Sequence, residues 1–203
     1  MKKYIAYTFL LLLISCNKNV KEENKFNFFA EKFADIQVLR YQIPGFDELS
    51  LNQKKLVYYL TEAGFAGRDI MYDQNYRHNL SIRRALENIY TKFNGDKNSE
   101  SWKNFEIYLK RIWFSNGIHH HYSNDKFETR FSKEYLKNLL NETNTVLNEE
   151  ALNVIFDDND LKKVNKDRSK GLVLGSAVNF YGEDITELDV DEFYSKMKSP
   201  DPK

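Results

Sequence analysis

Along most of the chain, apolar residues return at intervals of three and four with charged residues between them, the pattern of amphipathic helices. Residues 26 to 40 set Phe26, Phe29, Phe33, Ile36 and Leu39 at that spacing and predict a first helix. Tyr41 to Gly45 interrupts it, because Pro44 disfavours helix in the residue before it and Gly45 frees the backbone after it. Ser50-Leu51-Asn52-Gln53 then reads as a capping box. It opens a second helix with Leu56, Tyr59, Leu60, Ala63, Gly67 and Ile70 on one face. The small residues Ala63, Gly64, Ala66 and Gly67 suit close packing of another helix there. A polar loop is expected from Asp73 to Asn79, followed by a third helix with Ile82, Leu86, Ile89, Tyr90 and Phe93 inward.

A turn at Asn94-Gly95-Asp96 precedes the clearest stripe, Trp102, Phe105, Leu109, Ile112 and Trp113, which stops at Asn116-Gly117. A fifth helix is expected from Ser132, with Tyr135, Leu136, Leu139 and Leu140 inward, and a short sixth from Glu149 to Phe156. Asp157 to Asp160 reads as a solvated acidic turn. Gly171 to Gly175 is small and apolar, and its periodicity leaves strand and buried helix both open. Thr186-Glu187-Leu188-Asp189 resembles a helix start, leading through Val190, Phe193 and Met197. The expected fold is mainly α. Phe33, Trp102, Phe105, Leu109 and Trp113 are its predicted buried aromatic and aliphatic anchors.

Composition narrows the function classes. With 41% hydrophobic residues, 13 Tyr and 15 Phe, the chain is globular rather than disordered. Lys+Arg and Asp+Glu balance at 30 each, so the basic field that nucleic acid requires is missing and no nucleic-acid partner is expected.

The first 16 residues, MKKYIAYTFLLLLISC, change the picture again. Lys2 and Lys3 precede an apolar run from Ile5 to Ile14 that is too short for a hydrocarbon core needing about 20 residues. The run fits a signal peptide. Leu13-Ile14-Ser15-Cys16 resembles a bacterial lipobox, so Cys16, the single cysteine, is the expected lipidation site. Residues 1–15 are then the signal peptide, 16–24 an acylated Cys and polar tether, and 25–203 the body. The expected location is the cell envelope, with the chain held to the membrane by lipid at Cys16. The Lys21-Glu22-Glu23 run reads as part of the solvated tether.

Candidate chemistry is sparse. Of four histidines, His119, His120 and His121 are consecutive, after Asn116-Gly117-Ile118. Adjacent side chains diverge in a loop or strand, whereas zinc-peptidase helices set two His a turn apart beside a Glu. Ser176 lacks the G-x-S-x-G elbow, and Gly171 to Gly175 lacks the phosphate-loop Lys. The acidic pairs miss the calcium-loop pattern. No residue is assigned as catalytic and none as a metal ligand.

Three blocks suggest a family. FADIQVLRYQIPGFDELSLNQKKLVYYLTEAGFAGRDIMYDQN (33–75), YLKRIWFSNGIHHHYSNDKF (108–127) and VNFYGEDITELDVDEFY (178–194) resemble bacterial members of the dipeptidyl peptidase III family of zinc metallopeptidases. Ser123 departs from the pattern, which has Gly in that turn. The resemblance implies a two-lobed enzyme that removes dipeptides from peptide N-termini, with α+β structure possible in the full lobe. It implies zinc bound by an H-E-x-x-G-H helix and a later Glu, none of which this sequence contains. The chain is therefore expected to be the opening part of one lobe, incomplete at its C-terminus. It would supply part of the cleft wall, bind no zinc by itself and be inactive alone. By resemblance, His121 and Tyr122 face the peptide. The alternative expectation is a standalone, non-catalytic lipoprotein that binds peptides or a protein partner.

Overall fold

The computed structural model describes residues 26–167, 169, 175–178, 180, 182 and 184–197. The expectations for Cys16 and for residues 171–174 fall outside the described residues. The chain is mainly α-helical and divides into two compact units, Met1–Asp47 and Glu48–Lys203.

The described part of the first unit is an antiparallel hairpin, β1 (Phe29–Phe33) and β2 (Ile36–Leu39), not the predicted helix. Phe33 pairs with Ile36, Lys32 with Gln37, Glu31 with Val38, and Phe29 with Leu39 across a bulge. The same aromatic and β-branched residues that fit a 3.6-residue stripe also suit a pleated strand. Ala34 decides between them by entering the left-handed region at φ 47°, which reverses the chain within two residues. Phe33 is consequently half-buried rather than part of a core. Gly45 follows at φ 81°, where the sequence placed its turn.

The second unit holds seven helices among the described residues: α1 (Leu51–Gly67), α2 (Asp69–Asn75), α3 (Asn79–Lys92), α4 (Glu100–Ser115), α5 (Lys133–Glu142), α6 (Glu149–Phe156) and α7 (Glu187–Lys196). Their starts are fixed by side chains that take up otherwise unpaired amides. Ser50 and Gln53 form the expected capping box on α1, and Thr186 and Asp189 form one on α7. Ser99, Ser132 and Asn148 cap α4, α5 and α6. α2 runs through Asn75, so the expected polar loop shrinks to the Tyr76–His78 link.

One core joins α3 to α6. It contains Ile82, Leu86 and Ile89, then Trp102, Phe105, Leu109 and Ile112, and further on Leu136, Leu139, Leu152 and Ile155. Trp102 lies face to face with Phe93 at 4.5 Å between ring centres, and Phe105 meets it at 5.1 Å. Trp113 departs from its predicted burial. It sits at the rim, 37% exposed, because its indole N–H reaches out to donate to Glu87 at 2.8 Å. Arg83 is buried with its cation 4.6 Å over the Tyr72 ring and one N–H donating to Asp69 at 2.8 Å. Arg84 donates to the other Asp69 oxygen, and the two guanidinium groups hold that carboxyl below its usual range, with Arg84 the larger cause.

α1 is the chief departure. The face expected to pack stands open, with Leu56, Tyr59 and Leu60 exposed, and nothing lies within 4 Å of a Cβ built on Gly64 or Gly67. Periodicity marks a face that can be buried but not what buries it, and α3 to α6 complete the core without this helix.

Candidate functional site

The three histidines occupy a loop whose entry is rigid. α4 ends where Asn116 adopts the left-handed conformation, φ 54°, as its C-cap. Gly117 follows at φ 148°, and a Cβ there would lie 2.1 Å from the Asn79 side-chain nitrogen, so only glycine fits. Asn79 is buried at the start of α3 and accepts the Ile118 N–H at 3.1 Å, while Asn75 donates to the Asn116 carbonyl at 3.1 Å. The start of α3 and the end of α2 thus hold the loop's first turn.

From there the side chains diverge. Ile118 is fully buried and His119 nearly so. His119 Nε2 donates to the Leu161 carbonyl at 2.9 Å, and its buried Nδ1 has no partner among the described residues. Burial lowers the His119 pKa, the Leu161 carbonyl and Asp160 opposing that shift, so the ring is neutral at neutral pH. A bridge pairs His119 with Lys126 across the loop. His120 turns its Nδ1 to accept the N–H groups of Tyr122 and Ser123 at 3.1 and 3.2 Å, tightening the tip. Ser123 is not among the residues of positive φ, so the turn does not need the glycine that the resemblance implies there. His121 stacks on His120 at 4.3 Å and meets Phe114 edge-on at 4.8 Å, with Ser115 Oγ 3.4 Å from its Nδ1. Tyr122 leans against His121 at 4.3 Å and is 91% exposed.

The result is an outward shelf of rings, Phe114, His121, His120 and Tyr122, carried on an inward anchor. Of the two predicted substrate-side residues, Tyr122 is fully presented and His121 is half-buried within the shelf.

The anchor itself was not foreseen. Tyr76 is buried, meets both His78 and His119 edge-on, and donates its hydroxyl to Asp160 at 2.8 Å. Burial and that carboxylate push the Tyr76 phenol well above its usual range. Lys126 donates to the Val154 carbonyl at 2.5 Å, to the Asp157 carbonyl and, at 3.4 Å, to Asp160. Asp160 is thus a structural acceptor rather than part of a solvated turn. His78 is also buried, which lowers its pKa. Its Nε2 accepts from Arg77 at 3.2 Å, which requires that nitrogen to be unprotonated. The histidine run and the 157–160 acid run were each visible in the sequence, but nothing there joined them, because the cluster's members are far apart in the chain.

The implied zinc does not fit these residues. Among the described residues no group of three or more His, Cys, Asp or Glu is placed to hold a metal ion. His119 is turned inward onto a carbonyl and the Nδ1 of His120 is occupied by two amides. No helix among the described residues is long and apolar enough to cross a membrane. No family model and no curated protein matches the chain.

Proposed function

We propose that this chain supplies one wall of the peptide cleft of a dipeptidyl peptidase III-type zinc peptidase, as part of one lobe. His121 and Tyr122 touch the peptide, and zinc and the catalytic groups come from polypeptide outside this sequence. The observation that carries the reading is the ring shelf, an exposed Tyr122 and a stacked His pair on a loop clamped at its base. A ring held in this way adds contact area with little ordering cost on binding, since tyrosine has few rotamers to lose. The two side chains bind and orient peptide and transfer no proton.

The test is peptide binding by the chain, followed by fluorescence anisotropy of a labelled peptide. Tyr122→Ala is expected to weaken binding at least several-fold while leaving the unfolding midpoint unchanged, because the side chain is exposed and packs into no core. Unchanged affinity would remove the shelf from the cleft. The chain by itself is expected to release no dipeptide from a chromogenic substrate, with or without zinc, and zinc-dependent turnover would overturn the assignment. The envelope location rests on Cys16. Labelled fatty acid is expected on the wild-type chain and not on Cys16→Ala, and label persisting on the variant would refute the anchor.

A further inference from the structure

The uncovered surface of α1 has a charge pattern that points to its occupant. Leu56, Tyr59 and Leu60 are 59%, 67% and 63% exposed, and Leu51, Val57, Tyr58 and Phe65 are exposed around the same helix. Exposed apolar residues gathered along one helix mark a surface that another molecule can cover.

Leu56, Tyr59, Ala63 and Ala66 follow a three-four-three spacing, the seam of a two-helix pair. Lys55 and Glu62 stand seven residues apart along one edge of that seam, and neither makes an ion pair among the described residues. In an antiparallel pair each edge of one helix runs beside the like edge of the other. Opposite charges spaced by one heptad on a single edge are then self-complementary. A parallel pair would set that edge against the one carrying Gln53 and Leu60, where no opposite charge waits.

We propose that α1 pairs antiparallel with α1 of a second copy of this chain about a two-fold axis. Leu56 packs on Tyr59 of the second copy and Lys55 faces Glu62 of the second copy, each contact occurring twice. In this register Ala63 falls opposite Asn52 of the second copy and Gly64 opposite its Leu51, and the open space around Gly64 lets the two backbones approach there. The inference is independent of the peptidase reading, since it uses no residue of the shelf.

Sedimentation equilibrium of the full chain tests it. The wild type is expected to be dimeric at micromolar concentration. Lys55→Glu and Glu62→Lys each replace two attractive contacts with two repulsive ones and are expected to weaken self-association about tenfold. Mixed in equal amounts, the two variants regain opposite charges at both contacts, and the mixture is expected to associate as tightly as wild type. Leu56→Asp is expected to give monomers with an unchanged far-ultraviolet circular dichroism spectrum, because Leu56 is mostly exposed and stands outside the core. A monomeric wild type would overturn the proposal and leave α1 to another partner. So would a mixture no tighter than either variant alone, since association would then run through a different face or in a different orientation.

Discussion

Gly117→Ala is the sharpest probe of how the histidine loop is held. The backbone at φ 148° is one that a side chain-bearing residue rarely adopts, and forcing it there costs about 1–3 kcal/mol. A methyl group at the built position would also lie 2.1 Å from Asn79 Nδ2, 2.6 Å from Cγ and 2.9 Å from Oδ1, all far inside contact distance. Asn79 is 1% exposed and has no room to swing into solvent. If it shifts, the buried Ile118 N–H loses its acceptor, at about 1–3 kcal/mol for an orphaned buried donor. The sum is roughly 2–6 kcal/mol, a large share of the 5–15 kcal/mol that typically separates folded from unfolded chains. Urea unfolding followed by tryptophan fluorescence measures it. Pairing the change with Asn79→Gly separates the two causes, because deleting the Asn79 side chain removes the clash but not the backbone strain. A Gly117→Ala chain within about 0.5 kcal/mol of wild type would refute the account of the loop's entry.

Two further outcomes are expected. Phe105→Ala removes a fully buried ring packed on Trp102 and Phe131 and should destabilise by about 3–5 kcal/mol in the same unfolding assay; a loss below about 1 kcal/mol would mean that the core is not built as described. His78 and His119 both have folded pKa values lowered from 6.5, so the unfolded chain binds more protons just below that pH. Their contribution is therefore complete above pH 6.5 and declines as pH falls from there toward the folded values, by at most about 2.7 kcal/mol per pH unit for the pair. Urea midpoints at pH 5 and pH 7.5 check this, and equal stability at the two would show that neither ring is held neutral by burial.

The helices from α3 onward were legible in the sequence from their apolar spacing, and at α5 and α7 a start signal coincided with it. Apolar stripes such as Trp102–Phe105–Leu109–Ile112 marked the faces, and Ser132 and the Thr186–Asp189 box marked the starts. The hairpin was not legible, since its turn is made by Ala34 rather than by a glycine or asparagine that would have announced it. The histidine run was visible as a feature, yet its division of labour was not. Which ring turns inward depends on Tyr76, Asp160 and Leu161, residues about 40 positions away on either side. Trp113 shows the limit from the other direction. It lies on the stripe, but a polar atom on a large ring drew it to Glu87 and out of the core.

The Tyr76–Asp160 hydrogen bond also bears on the order in which the molecule assembles. It joins positions 84 apart, whereas α3 and α4 meet across a link of only a few residues. Closing the longer loop costs more chain entropy before any contact rewards it, so the α3–α4 pair forms early and the clamp beneath the histidines closes late. Weakening that clamp, as by Asp160→Asn, should therefore leave the folding rate nearly unchanged and appear as faster unfolding. The clamp beneath the ring shelf is in this sense expected to set after the α3–α4 pair and to come loose before it.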